Sequence, residues 1–538
     1  TYDETLAFLR RLAAESPDIH LVSLGRSPEG REVVMVVATR TRPAEPAALR
    51  ASGKPILLAQ GGIHSGEIDG KDAGLMLLRD IARGKKKDLL AGAHLLFVPI
   101  LNVDGHERRS PYGRINQRGP QETGWRTTAR NLNLNRDYAK LDAPETRAVV
   151  KAMNEWDPDL YLDLHVTDGA DYQYDITFGW NGRHSWSPAQ AGWLDTALKP
   201  ALDAGLRAAG HIPGALVFPA DDADFGKGLI EWTASPRLST GYGDARHLAT
   251  VLVENHSLKP YKQRVLGTYV LLEGTLGVLA RDGAALRAAA AQDRGRHPAQ
   301  VPIDWKLAPD RAGTVEFAGI ESRTEPSQAS GGPYPVWTGR PARVKLPQQH
   351  MSAVAASVSR PKAYWIPPAW PEVVERLEAH GIQVSRLSAP LELSVEAYRL
   401  VDPKLAAAPF EGRVGVTAGV APERRRLRLP AGSVRVATDQ PLGELAVLLL
   451  EPASPDSFFQ WGFFLEVLQP TEYAEAYIMA PMAEAMLRED PALRAEFEKK
   501  VASDPEFAKS PRDRLQWFYA HTPFFDPAWR VYPVVREP

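Results

Sequence analysis

The stretch from Pro55 to Glu67 constrains this chain more than any other. Pro55-Ile56-Leu57-Leu58-Ala59 is a compact apolar run bounded by breakers, and its length and lack of alternation predict a strand buried on both faces. It runs into Gly61-Gly62 and then His64-Ser65-Gly66-Glu67, and residues 72–81 predict a helix. A histidine and a carboxylate therefore stand on a strand-to-helix loop at the carboxyl edge of a sheet, where open α/β sheets place their sites. His-x-x-Glu alone is a weak signal, and the rest of the chain has to support it.

Similar strands recur. Residues 19–24 and 33–38 flank Gly25-Arg-Ser-Pro-Glu-Gly-Arg31 and predict a hairpin. Residues 94–100 end in another loop, Leu101-Asn-Val-Asp-Gly105, and residues 159–165 and 250–254 end in His165 and Glu254. Helical patterns at 3–15 (with Asp3 as cap), 144–156, 189–209 and 261–291 alternate with them. The class expected is α/β, a mixed sheet covered by helices on both faces. After about residue 300 short β-like runs between Pro/Gly turns dominate, with a helical insert at 371–380 and edge strands across 427–436. The final part is aromatic-rich and partly helical, at 470–487 and 491–502. The expected domains are 1–298, a smaller β-rich unit at 299–450, and a segment 451–538 packed on the rest, an α+β C-terminal region overall.

Composition closes several routes. With no cysteine among 538 residues, thiolate metal sites, disulfides and cysteine nucleophiles are excluded, so a metal must be held by His, Asp or Glu. A net charge of −2 without long runs of one sign gives no footing for nucleic-acid binding. No apolar run reaches the ~20 residues of a membrane span. The first residue is threonine, which suggests that a signal peptide or other leader was removed and points to a periplasmic or secreted protein; a cytosolic one fits the composition too.

The chemistry-bearing residues fall at strand ends and in one polar loop. His64 and Glu67 suit Zn²⁺, and His165 is the candidate third ligand, leaving one coordination position open. Glu254 follows three apolar strand residues, a costly place for a carboxylate unless it faces a cleft or a cation. Beside a metal it would serve as general base. Arg126, Arg130 and Arg136 crowd the irregular segment 106–140, and clustered arginines suit carboxylate or oxyanion recognition. Tyr242 stands between glycines in Ser239-Thr-Gly-Tyr-Gly243, as a mobile flap residue would.

Taken with Asn102-Val-Asp-Gly105, Trp125-Arg-Thr-Thr128, Asn133-Leu-Asn-Leu-Asn-Arg-Asp137, Leu162-Asp-Leu-His165 and Leu252-Val-Glu254, residues 1–290 resemble the carboxypeptidase A-like zinc metallocarboxypeptidases. The resemblance implies one Zn²⁺ per chain, held by His64, Glu67 and His165 with water as fourth ligand. It implies Glu254 as the base that activates this water and Arg126 as the group stabilising the oxyanion. Asn135 and Arg136 would hold the terminal carboxylate of a peptide substrate, and Tyr242 would be the closing tyrosine. Asn133 stands where the family often has an aspartate supporting a zinc histidine; its amide oxygen can accept the same hydrogen bond without the charge. Asp244 and Arg246 lie near the expected specificity pocket and point to opposite preferences. The residues after 300 resemble extensions of some bacterial members and could narrow the cleft mouth. The expected activity is removal of single C-terminal residues. The alternatives are an amidase of the same fold acting on acyl-amino acids or peptidoglycan peptides, and a peptide-binding module without catalysis.

Overall fold

The computed structural model describes residues 1–221 and 224–538. Its central sheet is built from β1 (Ile19–Arg26), β2 (Glu32–Ala38), β3 (Ile56–Gly61), β4 (His94–Val98), β5 (Leu160–Val166), β6 (Ile176–Gly179) and β7 (Pro213–Gly214). A short β8 (Leu229–Glu231) lies outside it, and β9 (Ala249–Asn255) completes it in the order β1-β2-β4-β3-β5-β9-β6-β7. The four middle strands β4, β3, β5 and β9 are parallel, and β2 and β6 flank them antiparallel. From β3 the chain first steps outward to β4, and later returns to the other side as β5. The order therefore reverses between β3 and β5, the crevice where doubly covered sheets bind ligands.

Every residue of β3, β4 and β5 is buried, which the unbroken apolar runs require. Alternate side chains go to opposite faces. Leu57 and Ala59 meet Leu77, Leu78, Leu271 and Leu276 from the helices Asp69–Ala82 and Tyr261–Arg294. Ile56 and Leu58 join Val149 and Met153 from the helix Pro144–Trp156 on the other face. That second face is finished by residues from beyond 300. Val373 and Leu377 reach it from the helix Pro371–His380, and the helix Gly443–Leu450, buried at all of its positions, lies there too.

The C-terminal region carries three further pairings. β10 (Gln300–Lys306) pairs with β13 (Ala353–Ser359). β11 (Gly313–Pro326) and β12 (Pro333–His350) form a long hairpin, and the end of β12 lies parallel to β8. A six-stranded sheet holds β14 (Ala363–Ile366), β15 (Ser385–Arg386), β16 (Leu391–Leu405), β17 (Val416–Leu429), β18 (Val434–Ala437) and β19 (Val535–Glu537). Helices from Ala476–Glu489 to Pro511–Ala520 enclose a small aromatic cluster of their own.

Three local expectations need correction. Thr1, not Asp3, caps the first helix: its hydroxyl accepts from the Glu4 amide at 3.2 Å in a capping box, so Asp3 lies in the first turn. The helix expected across 189–209 is interrupted by a π turn, Leu194–Leu198, just ahead of Pro200, which has no amide hydrogen to offer the ladder. The stretch 427–436 contains one edge strand, β17, but β18 is interior, between β15 and β14. Among the described residues no helix is long and apolar enough to cross a membrane.

Candidate active site

Strand geometry delivers the first two donors. Gly62 takes φ +62°, a left-handed turn that an L side chain would strain, and so turns the chain off β3 above the sheet edge. His64 and Glu67 follow in that turn. His165 comes from β5, the neighbour of β3, and lies opposite Glu254 of β9 in the strand register. One ligand atom from each of His64, Glu67 and His165 lies within 4.8 Å of the others, and all three side chains are buried.

The hydrogen bonds assign the ring atoms. His64 Nε2 meets Asn133 Oδ1 at 2.9 Å, and His165 Nε2 meets Asp163 Oδ2 at 2.8 Å. Both acceptors require Nε2–H, so the two Nδ1 atoms are left to face the Glu67 carboxylate. His165 Nδ1 is 2.9 Å from Oε2. His64 Nδ1 is 3.1 Å from Oε1 in poor hydrogen-bond alignment, so this buried atom has no true partner. Two imidazole nitrogens and a carboxylate converging in a dry site need a cation among them, either a metal ion or a proton on His165 Nδ1. Their electrostatics agree. Burial alone would raise the Glu67 pKa, but His64, Arg114 and the bond from His165 outweigh it and hold the carboxyl well below the usual range. Burial works against charging His165 as well, yet Asp163 and Glu67 on its two sides raise its pKa well above the ordinary value.

Around these donors is a cavity of about 310 Å³. Arg126, Asn135, Arg136 and Glu254 line it together with His64, Glu67 and His165, so the residues expected to act together are brought together. Glu254 Oε2 is buried without a partner. Burial pushes the Glu254 carboxyl up to about 8, with His165 opposing and Glu67 and Asp163 reinforcing. Arg126 Nη1 lies 3.3 Å from Glu67 Oε1. Asn135 accepts from the Ser239 amide at 2.9 Å through its side-chain oxygen. Burial, then the nearby Arg126, lower the pKa of Arg136, and Arg237 adds to them. Three cations crowd that corner. Asn133 sits behind the cavity, where its oxygen also accepts from the Asn135 amide at 3.0 Å.

The structure keeps Tyr242 away from the cavity. It is fully buried within the short helix Ser239–Ala245 and does not line the cavity. Its hydroxyl lies 2.9 Å from His380 Nδ1 and accepts from Arg246 Nη1 at 3.1 Å. Asp244 and Arg246 are equally withdrawn: Asp244 binds the Asn181 amide group and the Ser187 backbone, and Arg246 reaches Asn154. Arg130 is exposed and outside the cavity.

Three contributors were not singled out from the sequence. Asp163, two residues before His165 on the same face of β5, was signalled by the period of a strand. Arg114, its side chain 8% exposed, spans Glu67 at 3.1 Å and Asp168 at 2.9 Å. Glu411, far along the chain, accepts from the Asn133 amide at 2.7 Å, and nothing local announces it.

Residues 5–203 match the model of the zinc carboxypeptidase family, a span that contains His64, Glu67, Arg126, Asn133, Asn135, Arg136 and His165. The segment that carries these donors is thus similar to the zinc carboxypeptidases. The chain is also similar to the protein named carboxypeptidase 2 of Trichophyton tonsurans, with 25% identity over 484 residues that cover 86% of this chain and 84% of the relative. Carboxypeptidase 2 of Trichophyton rubrum is similar at 25% over 483 residues, covering 86% and 84%. A span of that length extends well into the C-terminal region. A solved structure, a putative carboxypeptidase A from Shewanella denitrificans, aligns with 52% of this chain and 69% of its own, at 20% identity and a TM-score of 0.40. The metal of the matched family is zinc, and the His64, Glu67 and His165 donors of this chain fit a single ion.

Proposed function

We propose that the protein removes single residues from the C-terminus of peptides, with His64, Glu67 and His165 holding the zinc. The observation that carries this reading is one cavity lined by the cation donors, by Glu254 with its Oε2 buried and unpartnered, and by Asn135 with Arg136. Zinc bound there supplies a Lewis acid for the scissile carbonyl and the attacking water. Asn135 and Arg136 bind the substrate's terminal carboxylate, which relieves the mutual repulsion of Arg136, Arg126 and Arg237. Arg126 stabilises negative charge that develops on the carbonyl oxygen. Glu254 takes a proton from water as the new C–O bond forms, and delivers it to the amine nitrogen as the C–N bond breaks. Asn133 and Asp163 fix the rings of His64 and His165 through Nε2.

Away from the donors one side of the cavity wall is apolar, with Leu216, Val217, Phe218, Trp232, Leu238 and Leu252, while Thr167, Asp168, Thr177 and Thr240 line the rest. With Asp244 and Arg246 withdrawn, this wall supports a preference for a bulky apolar C-terminal side chain. In this reading residues 1–298 are the catalytic domain, and the units 299–450 and 451–538 are accessory to it.

The test is mass spectrometry of a mixed-sequence peptide pool incubated with the zinc-loaded protein, with a chelator-treated control. Loss of single C-terminal residues, enriched for apolar ones and suppressed by the chelator, is expected. Intact peptides would overturn the reading, in favour of an amidase if acyl-amino acids or muropeptides are cleaved and of a binding module if they are not.

A further inference from the structure

The apolar wall of the cavity is not self-supporting. Its residues Val217, Phe218 and Trp232 lie on two short extended segments, 216–220 and 228–232, joined to one another by the Ile230 amide to the Phe218 carbonyl at 2.8 Å and the Ala220 amide to the Gly228 carbonyl at 2.9 Å. Phe218 and Trp232 meet edge to face with centroids 5.4 Å apart. The other edge of this pair is taken by the hairpin of β11 and β12. Leu229, Ile230 and Glu231 pair with Gln348, Gln349 and His350, the Met351 amide donates to Glu231 at 2.7 Å, and Thr233 Oγ1 donates to the Met351 carbonyl at 2.6 Å. At Gly228, with φ +97°, a Cβ would lie 2.2 Å from the Pro347 carbonyl oxygen, so the close approach needs glycine.

The hairpin has few other attachments. Most of its side chains are solvent-exposed, and its two large buried ones, Phe317 and Leu346, enter one small cluster with Tyr172 and Leu229, against which Val217 and Phe225 pack. Phe317 stands 5.7 Å from the rings of both Tyr174 and Phe225. A polar clamp joins them: Gln173 Nε2 donates to the carbonyls of Gly319 and Ala342, each at 2.9 Å. A long exposed hairpin that pairs with β8 and shares its buried cluster with Val217 of the cavity wall is placed to fix that wall.

We propose that the hairpin Gly313–His350 is a specificity element. Phe317 and Leu346 are positioning residues that hold Val217, Phe218 and Trp232 against the cavity, and so set the preference for a bulky apolar C-terminal side chain. This rests on the exopeptidase reading above, in which that cavity receives the terminal residue.

The test uses the full zinc-loaded chain and two peptides that differ only in ending with Phe or Ala. The ratio of their kcat/KM values is measured for the wild type and for Phe317→Ala, Phe317→Leu and Gln173→Ala. Loosening one apolar wall is worth about 10-fold in such a ratio. Phe317→Ala and Gln173→Ala are expected to lower it by about that much through KM for the Phe peptide, with zinc content and kcat for the Ala peptide unchanged. Phe317→Leu, which refills the cluster, is expected to recover most of the ratio. An unchanged ratio in a folded variant overturns the proposal, and so does an equal fall for both peptides, which would mark mere structural support. If Phe317→Ala does not fold, Gln173→Ala decides alone. A wild type that trims neither peptide counts against the exopeptidase reading and takes this inference with it, whereas trimming with an unmoved ratio counts against the hairpin only.

Discussion

Replacing Tyr242 with phenylalanine separates two roles for this residue by sign. As a closing tyrosine it would touch substrate, and its hydroxyl would be worth turnover and nothing in stability. The structure instead puts the hydroxyl between His380 and Arg246 in a fully buried site. His380 Nε2 donates to the Ala139 carbonyl at 3.1 Å, so its Nδ1 is an acceptor and the tyrosine hydroxyl donates to it. Removing one oxygen therefore strands a buried imidazole nitrogen and one guanidinium N–H. Leaving buried partners unsatisfied costs about 1–3 kcal/mol, with the charged arginine favouring the upper end. For a chain of this size that is a fall in Tm of about a few degrees. Calorimetry and steady-state kinetics on the same preparation read both quantities. The expected result for Tyr242→Phe is a lowered Tm with kcat and KM within about twofold of wild type. A fall in kcat of about tenfold or more at unchanged Tm would refute the argument and return Tyr242 to the catalytic cycle.

Glu254→Gln keeps the shape of the cavity but removes the base, so turnover should drop by about 10²- to 10⁴-fold at unchanged zinc content, read by atomic absorption; retained turnover would strip Glu254 of the role. Arg136→Ala should raise KM about 10- to 100-fold for peptides with a free C-terminal carboxylate, the loss of one charge-assisted hydrogen bond, and an equal effect on amidated peptides would show that Arg136 does not read the terminus. Asn133→Ala frees His64 Nε2 and should weaken zinc binding by about 10- to 100-fold in a chelator competition; unaltered affinity would mean the ring is oriented without it. Burial pushes the His380 pKa down to about 3, so below pH 6.5 the unfolded chain takes up a proton that the native one refuses. The stability of wild type relative to His380→Gln should then decline as pH falls from 6.5 toward 3, by at most about 1.4 kcal/mol per pH unit, and a flat difference in urea titrations would contradict a neutral His380.

Much of the site was legible because parallel strands put it there. His64, His165 and Glu254 each end or follow a buried apolar run, and a sheet with such strands side by side must bring their carboxyl ends together. Of the hydrogen-bonding neighbours, Asn133 was legible through the family resemblance, and Asp163, two residues before His165, was open to the strand period but not singled out. The glycine neighbours of Tyr242 suggest a mobile flap, whereas the structure buries its side chain. What locks it is His380, a partner remote in sequence, and no local pattern encodes that contact. Glu411 and the hairpin behind Phe218 were hidden for the same reason. Their effect on the cavity depends on pairings between distant segments, where the turn residues reveal a strand but not its neighbour.

The helix Gly443–Leu450, with Leu445 to Leu450 all buried in the same core as Ile56 and Leu58, bears on how the molecule comes apart. Stripping it away would open the core that it shares with the helix Ser239–Ala245 and β10, so that core and this helix should melt together in one cooperative step. The helices between Ala476 and Ala520 pack on a cluster of their own and can open before that step. Under heat or a protease, the first loss should be at that helical appendage, with the zinc donors still assembled until the sheet itself gives way.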